Sequence, residues 1–270
     1  MEPSREGGGL THEITPLVLT RNEAPNIQRC LDRLTWATRV VVLDSGSTDE
    51  TVALARRYPN VDVRIRAFDD HASQWNHGLS LVATPWVLSL DADYVVPESF
   101  PAEAAPLIAQ GDLDAVVVRF RYVIHGRALR RSLYPPRAVL FRPAHCRYHN
   151  DGHTQRLQIR GRSLMLESAF DHDDRKPFRR WLEAQRRYTD LEARKLRATP
   201  VANLSPQDRL RRMVVFGPPA VFLYTFLFKG AIFDGQAGWT YTFQRTLAEM
   251  MLSRALLRAR PESDSRQTSP

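Results

Sequence analysis

Cysteine is nearly absent: Cys30 and Cys146 are the only two in 270 residues. Two thiols build neither a disulfide framework nor a cysteine-rich zinc site, and a reducing compartment is the simpler expectation. Glycine and proline are modest at 13 and 18, which excludes a collagen-like or low-complexity chain. The opening MEPSREGGGLTHE has no apolar core, so no signal peptide is expected. A mean hydropathy of −0.38 excludes a protein of many membrane spans. Lysine is scarce too. Nearly all of the 38 basic residues are arginine, against 30 acidic ones, for a net charge of +8. That excess favours an anionic partner: nucleic acid, phosphosugar or an acidic lipid surface. Nucleic acid is the weakest of the three and is not expected as a partner, because no binding motif is present. Arginine pairs such as Arg179–Arg180 and Arg186–Arg187 alternate with Glu183, Asp190 and Glu192, as on a solvated helix face.

What is present has a rhythm. ITPLVLT (14–20), RVVVLD (39–44), VDVRIRAF (61–68) and WVLSLDAD (86–93) are short apolar runs. Between them lie helix-like segments: 24–35, then the stretch opened by Ser47-Thr48-Asp49, then HASQWNHGLSLVA. Valine- and leucine-rich runs separated by helical patterns indicate βα units around a buried, mostly parallel sheet, an α/β fold. After Gly111 the pattern changes. Val118, Phe120, Tyr122 and Ile124 alternate with Arg119, Arg121 and Val123, which predicts a half-exposed antiparallel strand, with more short strands at 138–141, 156–159 and 164–169. From 177 to 197 the helical period returns.

The segment 213–233, MVVFGPPAVFLYTFLFKGAIF, is very apolar but broken by Gly217-Pro218-Pro219 and Lys229. A segment lying flat on a membrane surface fits better than a span. Aromatics at Phe222, Tyr224, Phe226, Phe228, Trp239 and Tyr241 suit such an interface, as do Arg209, Arg211 and Arg212 beside anionic headgroups. A buried helical hairpin or a contact with another copy of the chain is the alternative.

In open α/β sheets the ligand crevice lies at the carboxyl ends of the strands. Here those ends are Thr20-Arg21-Asn22-Glu23, Asp44-Ser45-Gly46-Ser47, Asp69-Asp70 and Asp91-Ala92-Asp93. Three of the four runs therefore deliver carboxylates to one edge. Asp91 and Asp93, one residue apart after a strand, suit a hard divalent cation held by carboxylates and substrate phosphates. Asp44 can accept hydrogen bonds from a base or a ribose, or can cap the helix that follows it.

LVLTRNEAPNIQRCL, VVVLDSGSTDETVALA and QWNHGLSLVATPWVLSLDADYVVP, in this order and spacing, resemble the amino-terminal half of a family 2 glycosyltransferase. The likeness is strongest to the branch that includes lipopolysaccharide-core glucosyltransferases. It runs from about Ile14 to Pro97 and continues more loosely through YPPRAVLFRP, DHDDRKPFRRWLEAQRRYTDLEARKL and KGAIFDGQAGW. The resemblance implies a GT-A fold using a nucleotide-diphosphate sugar and a divalent metal, manganese or magnesium. It places Thr20, Arg21, Asn22, Glu23 and Asp44 in the nucleotide pocket and Gln74 and Asn76 near the ribose and diphosphate. Asp91 and Ala92 would approach the ribose, and Asp93 the metal. His172 matches a later histidine that completes the metal site in many such enzymes; its alternative is a helix-entry residue beside Asp173 and Asp174.

The resemblance further implies direct displacement with inversion and hence one general base. Thr154 stands where the branch usually carries a glutamate, which leaves Asp151 as the first candidate base and His153 as the second. Tyr94 stands where relatives often carry another glutamate. These two departures support the alternative of a non-catalytic binding relative. The expected organisation is a disordered 1–12, a transferase domain over 13–200 with nucleotide (13–110) and acceptor (111–200) halves, a helical region over 201–260 and a disordered tail over 261–270. The expected acceptor is a bacterial envelope glycan or lipid-linked glycan, reached by an enzyme lying on the inner face of the cytoplasmic membrane through residues 209–241.

Overall fold

The computed structural model describes residues 12–151 and 154–258. Residues 1–11 and 261–270, where disorder is expected, and His153 lie outside them. The chain divides into two compact units between Lys176 and Pro177.

The first unit is built on a nine-stranded sheet. Its strands are β1 (Ile14–Thr20), β2 (Val40–Asp44), β3 (Val61–Ile65), β4 (Trp86–Asp91), β5 (Tyr94–Val95), β6 (Leu113–Ile124), β7 (Arg127–Ala128), β8 (Arg137–Phe141) and β11 (Arg162–His172). The order is β3-β2-β1-β4-β8-β6-β11-β5, with β7 hairpinned onto β6. β1 to β4 are parallel, as continuous apolar runs buried on both faces require. Val40, Val41, Val42 and Leu43 are all fully buried.

The sheet is a filling between two apolar layers. On one face Val18, Val42 and Leu90 pack with Ile27, Cys30 and Leu31 of α1 (Ile27–Asp32), Leu54 of α2 (Thr51–Ala55) and Phe100 of α4 (Phe100–Ile108). On the other, Leu17, Val41 and Val87 pack with Trp75 and Leu79 of α3 (His71–Ser80) and with Tyr148. Helix α3 approaches so closely that a Cβ at Gly78 would lie 2.7 Å from Leu17 Cδ2. Tyr148 belongs to a separate hairpin of β9 (Cys146–Asp151) and β10 (Thr154–Ile159).

Two elements differ from expectation. The helix expected over 24–35 is shortened to Ile27–Asp32, because the backbone before it is engaged by the turn after β2: the Glu23 amide donates to Thr51 Oγ1 at 2.8 Å. β6 is antiparallel to β8 as its alternation suggested, but it is also parallel to β11. It is thus an interior strand with a buried face, Val118 and Phe120, and an exposed edge of arginines.

The second unit holds α5 (Phe178–Ala198), α6 (Pro206–Arg212), α7 (Gly217–Leu223) and α8 (Gly235–Arg258). The expected boundary at 200/201 therefore moves upstream, because Ala193 and Leu196 of α5 form a core with Leu204 and Leu252. Arg211 is tied to Glu249 at 2.9 Å and to Glu192 at 3.4 Å. That removes it from the arginines expected to face headgroups. Of the expected interfacial aromatics, Phe226 and Tyr241 are buried, whereas Tyr224, Phe228 and Trp239 are exposed. No helix among the described residues is long and apolar enough to cross a membrane.

Candidate active site

Strand register sets the site. Thr20 lies opposite Asp44 and Leu19 opposite Asp91, so β1, β2 and β4 end at one level. Two residues beyond β4, Asp93 meets His172: Asp93 Oδ2 and His172 Nε2 are 3.2 Å apart, although 79 positions separate them. The short antiparallel pairing of β5 with the end of β11 makes that encounter, with His172 opposite Tyr94. The Asp173 amide then donates to the Asp93 carbonyl at 2.9 Å.

Burial pushes the Asp93 carboxyl up, but the neighbouring His172 and the Lys176 ammonium outweigh it and hold the group at about 2. Burial opposes charge on His172, yet Asp93 beside it raises its pKa overall. Asp91 is raised, by burial first and by the Asp93 charge second. The two carboxylates of Asp91-Ala92-Asp93 thus titrate in opposite directions, with buried Ala92 between them.

Several expected nucleotide ligands also carry bonds of the fold. Asp44, 1% exposed, accepts the Gly46 and Ser47 amides at 2.9 and 2.8 Å and the Ser47 hydroxyl. Its carboxylate therefore shapes the turn, which is the capping alternative. Asn22, at φ 57°, donates its amide to Ser47 Oγ and accepts the Thr48 amide, both at 2.8 Å. Gln74 is fully buried and donates to Ser45 Oγ at 3.0 Å while accepting from Arg66. Asn76 grips β9 through two bonds, donating to the Tyr148 carbonyl at 2.9 Å and accepting its amide at 3.0 Å. Arg21 is exposed. Thr20 ends β1 with a buried hydroxyl that lacks a hydrogen-bond partner. Asp151 ends β9 on the hairpin that Asn76 anchors.

Glu23 is likewise engaged within the protein. It pairs with Lys176 Nζ at 2.6 Å and accepts from Asn26 Nδ2 at 2.8 Å. Burial, then the Asp93 charge, push its carboxyl up to about 7 against the pull of Lys176. Lys176, Asn26 and Arg29 are residues that sequence reasoning missed. Asn26 donates to Asp174 at 3.0 Å, and Arg29 donates to the Asp173 carbonyl at 2.6 Å. Together they stitch residues 173–176 to the entrance of α1. The charge-dense DHDDRK run was the available signal, but nothing local names its partners.

A family model for glycosyl transferase family 2 matches residues 17–180. The chain belongs to glycosyl transferase family 2. A glycosyltransferase of Rickettsia conorii without a characterised activity is 30% identical over 129 residues, 47% of this chain and 44% of that protein. The lipopolysaccharide core biosynthesis glycosyltransferase LpsC of Rhizobium meliloti is 27% identical over 103 residues, 37% of this chain and 38% of that one. The chain thus spans less than half the length of the curated relatives it matches. Among solved structures, S. aureus TarS 1–349 in complex with UDP-GlcNAc superposes with a TM-score of 0.49 at 12% identity, covering 91% of this chain and 92% of that one. The fold is an α/β fold, with a mixed sheet followed by C-terminal helices.

For this family 2 chain a metal must fit the residues present. Among the described residues no three histidine, cysteine or acidic side chains form a ready-made cage. Asp93 and His172 do form a pair, and Asp93 Oδ1 and His172 Nδ1 are both buried without a hydrogen-bond partner. Their facing atoms, Asp93 Oδ2 and His172 Nε2, are placed to share one cation and leave its remaining positions to substrate oxygens, a usual arrangement for magnesium-like ions on phosphates. The pair fits. A separate cleft of about 460 Å³, lined by Asp112, Asp114, Arg142 and His145, lies at the opposite end of the sheet, where β6 begins and β8 ends.

Proposed function

We propose that this family 2 chain is an inverting glycosyltransferase. It moves a hexose from a nucleotide-diphosphate sugar to a hydroxyl of a bacterial envelope glycan or lipid-linked acceptor. One observation carries the reading: Asp93 Oδ2 and His172 Nε2 meet, 3.2 Å apart, at the rim where Asp91 ends β4. Asp93 and His172 would hold a manganese or magnesium ion, which when bound supplies positive charge to a departing diphosphate. Asp91 accepts hydrogen bonds from donor hydroxyls at that rim. Asp151 takes the proton of the acceptor hydroxyl, which makes its oxygen a competent nucleophile. That oxygen forms the new bond to the anomeric carbon as the bond to the diphosphate breaks, on the opposite face. His172 and the Lys176 ammonium favour the ionised form of the Asp93 carboxyl, which a metal ligand requires.

The acceptor class is supported by the name of LpsC, a lipopolysaccharide core enzyme. A peripheral position on the inner face of the cytoplasmic membrane is supported by the second unit. Val215, Phe216, Phe228 and Phe233 stand 73, 55, 75 and 64% exposed. Arg209 precedes them in the chain and Lys229 stands among them, a combination that suits an anionic lipid surface.

The test is hydrolysis of UDP-, GDP- and dTDP-hexoses with and without Mn²⁺, by the wild type and by Asp93→Ala. Metal-dependent turnover lost in the variant supports the reading. Nucleotide binding without turnover in the wild type favours the non-catalytic relative, and turnover kept in Asp93→Ala removes Asp93 from the metal site.

A further inference from the structure

We infer that Arg137, with the Tyr134 ring against it and the Asp91 carboxylate near it, forms the subsite for the transferred sugar, and that this sugar is a neutral pyranose with adjacent hydroxyls. The inference rests on the transferase reading above. Its first support is topological. β8 runs antiparallel to β4, pairing Phe141 with Val87 and Leu140 with Leu88. The first residue of β8 is Arg137, so the strand that ends beside Val87 begins at the rim where β4 delivers Asp91.

The second support is the state of the side chain. Arg137 is half-buried, yet among the described residues its guanidinium has no hydrogen bond and no ion pair; its one close partner is the Tyr134 ring, 4.8 Å from Cζ to the centroid. Other inward-facing arginines here are engaged: Arg29 by Asp173, Arg66 by Asp69, Arg211 by Glu249. A guanidinium carries five N–H donors in a rigid plane. Leaving them unused at a half-buried position is costly unless water or a ligand supplies acceptors.

The third support is how firmly the platform is held. The Tyr134 hydroxyl meets the Tyr94 hydroxyl, and its ring packs against Phe120 at 5.1 Å. The same ring lies 4.7 Å from the His172 ring. One tyrosine therefore touches both the candidate metal pair and the guanidinium, which keeps the two within reach of a single sugar phosphate. With the diphosphate at Asp93 and His172, the sugar ring falls toward Arg137. The chemistry suits it. Each sugar hydroxyl both donates and accepts, and Arg137 offers donors while Asp91 offers acceptors. Being of opposite charge, the two together favour a neutral ring.

The experiment uses the full chain with Mn²⁺. Wild type, Arg137→Met and Arg137→Lys are titrated calorimetrically with UDP, GDP and dTDP and with their hexose conjugates, after circular dichroism shows equal folding. The expected result for Arg137→Met is at least a tenfold weaker Kd for the conjugate that binds the wild type, with the Kd of the bare nucleoside diphosphate changed less than twofold. Arg137→Lys recovers part of the loss. Equal weakening of both ligands overturns the inference, because the guanidinium then holds phosphate. No weakening of either also overturns it. A wild type that binds no nucleoside diphosphate fails the transferase reading itself and the subsite with it, a result separable from the other two.

Discussion

His172 Nε2 and Asp93 Oδ2 lie 3.2 Å apart at the end of a two-residue strand pairing, which helps bring the carboxyl end of β11 to the carboxylates after β4. The pair is nearly buried, with side chains 13 and 12% exposed, and each partner keeps one orphaned atom.

Replacing either partner should therefore separate chemistry from folding. Asp93→Asn keeps the shape and removes the charge. We expect Mn²⁺-dependent donor hydrolysis to fall at least a hundredfold, and the Mn²⁺-induced rise in Tm in the presence of nucleoside diphosphate to vanish. A wild-type thermal shift in the variant would show that the ion sits elsewhere.

Stability should fall as pH rises. The folded Glu23 carboxyl sits at about 7 rather than its ordinary 4.5, and the folded His172 is raised above 6.5. In both windows the folded state holds a proton that the unfolded chain has released, so unfolding free energy declines with pH. From about pH 4.5 to 7 the Glu23 contribution is roughly 2–4 kcal/mol. Urea unfolding in metal-free buffer should show this decline, and Glu23→Gln should flatten it over that window. An unchanged slope in the variant would exclude Glu23 as its source.

The Asn76 clamp predicts a local effect. Asn76→Leu removes both bonds to the Tyr148 backbone and leaves a buried amide and carbonyl without partners, at a cost of about 2–4 kcal/mol. Hydrogen exchange should rise first in β9 and β10, and kcat should fall with Asp151 no longer held in place. Uniform loss of protection across β1 to β4 would contradict that order.

Membrane contact is tested on the second unit. Phe228→Ser with Phe233→Ser should lower cosedimentation with phosphatidylglycerol vesicles at least fivefold while leaving donor hydrolysis in solution unchanged. Unchanged cosedimentation would turn the exposed face toward another protein surface.

The alternation of apolar runs and helices made the parallel half of the sheet legible, since a strand buried on both faces needs uninterrupted valine and leucine. Asp91 and Asp93 were legible for the same reason: a strand end is local. Asp44, Gln74 and Asn76 were located by position, but their hydrogen bonds were not. Those bonds depend on which backbone amides come within 3 Å, and the folded register decides that. Lys176, Tyr134 and Arg137 lie in the DHDDRK and YPPRAVLFRP runs, but nothing local named their partners. Their roles arise from β8 returning antiparallel to β4 and from residues 173–176 closing over α1, contacts between segments far apart in the chain.

Tyr94 carries one more consequence. Its buried ring lies 4.6 Å from Phe120 and 5.6 Å from His172, and its hydroxyl meets Tyr134. Placing an acid there would force a third negative charge into an oily enclosure beside two that already repel each other. The enclosing rings would have to change first. Position 94 thus ties the acidity of this rim to the aromatic wall behind it: the one cannot rise while the other stays as it is.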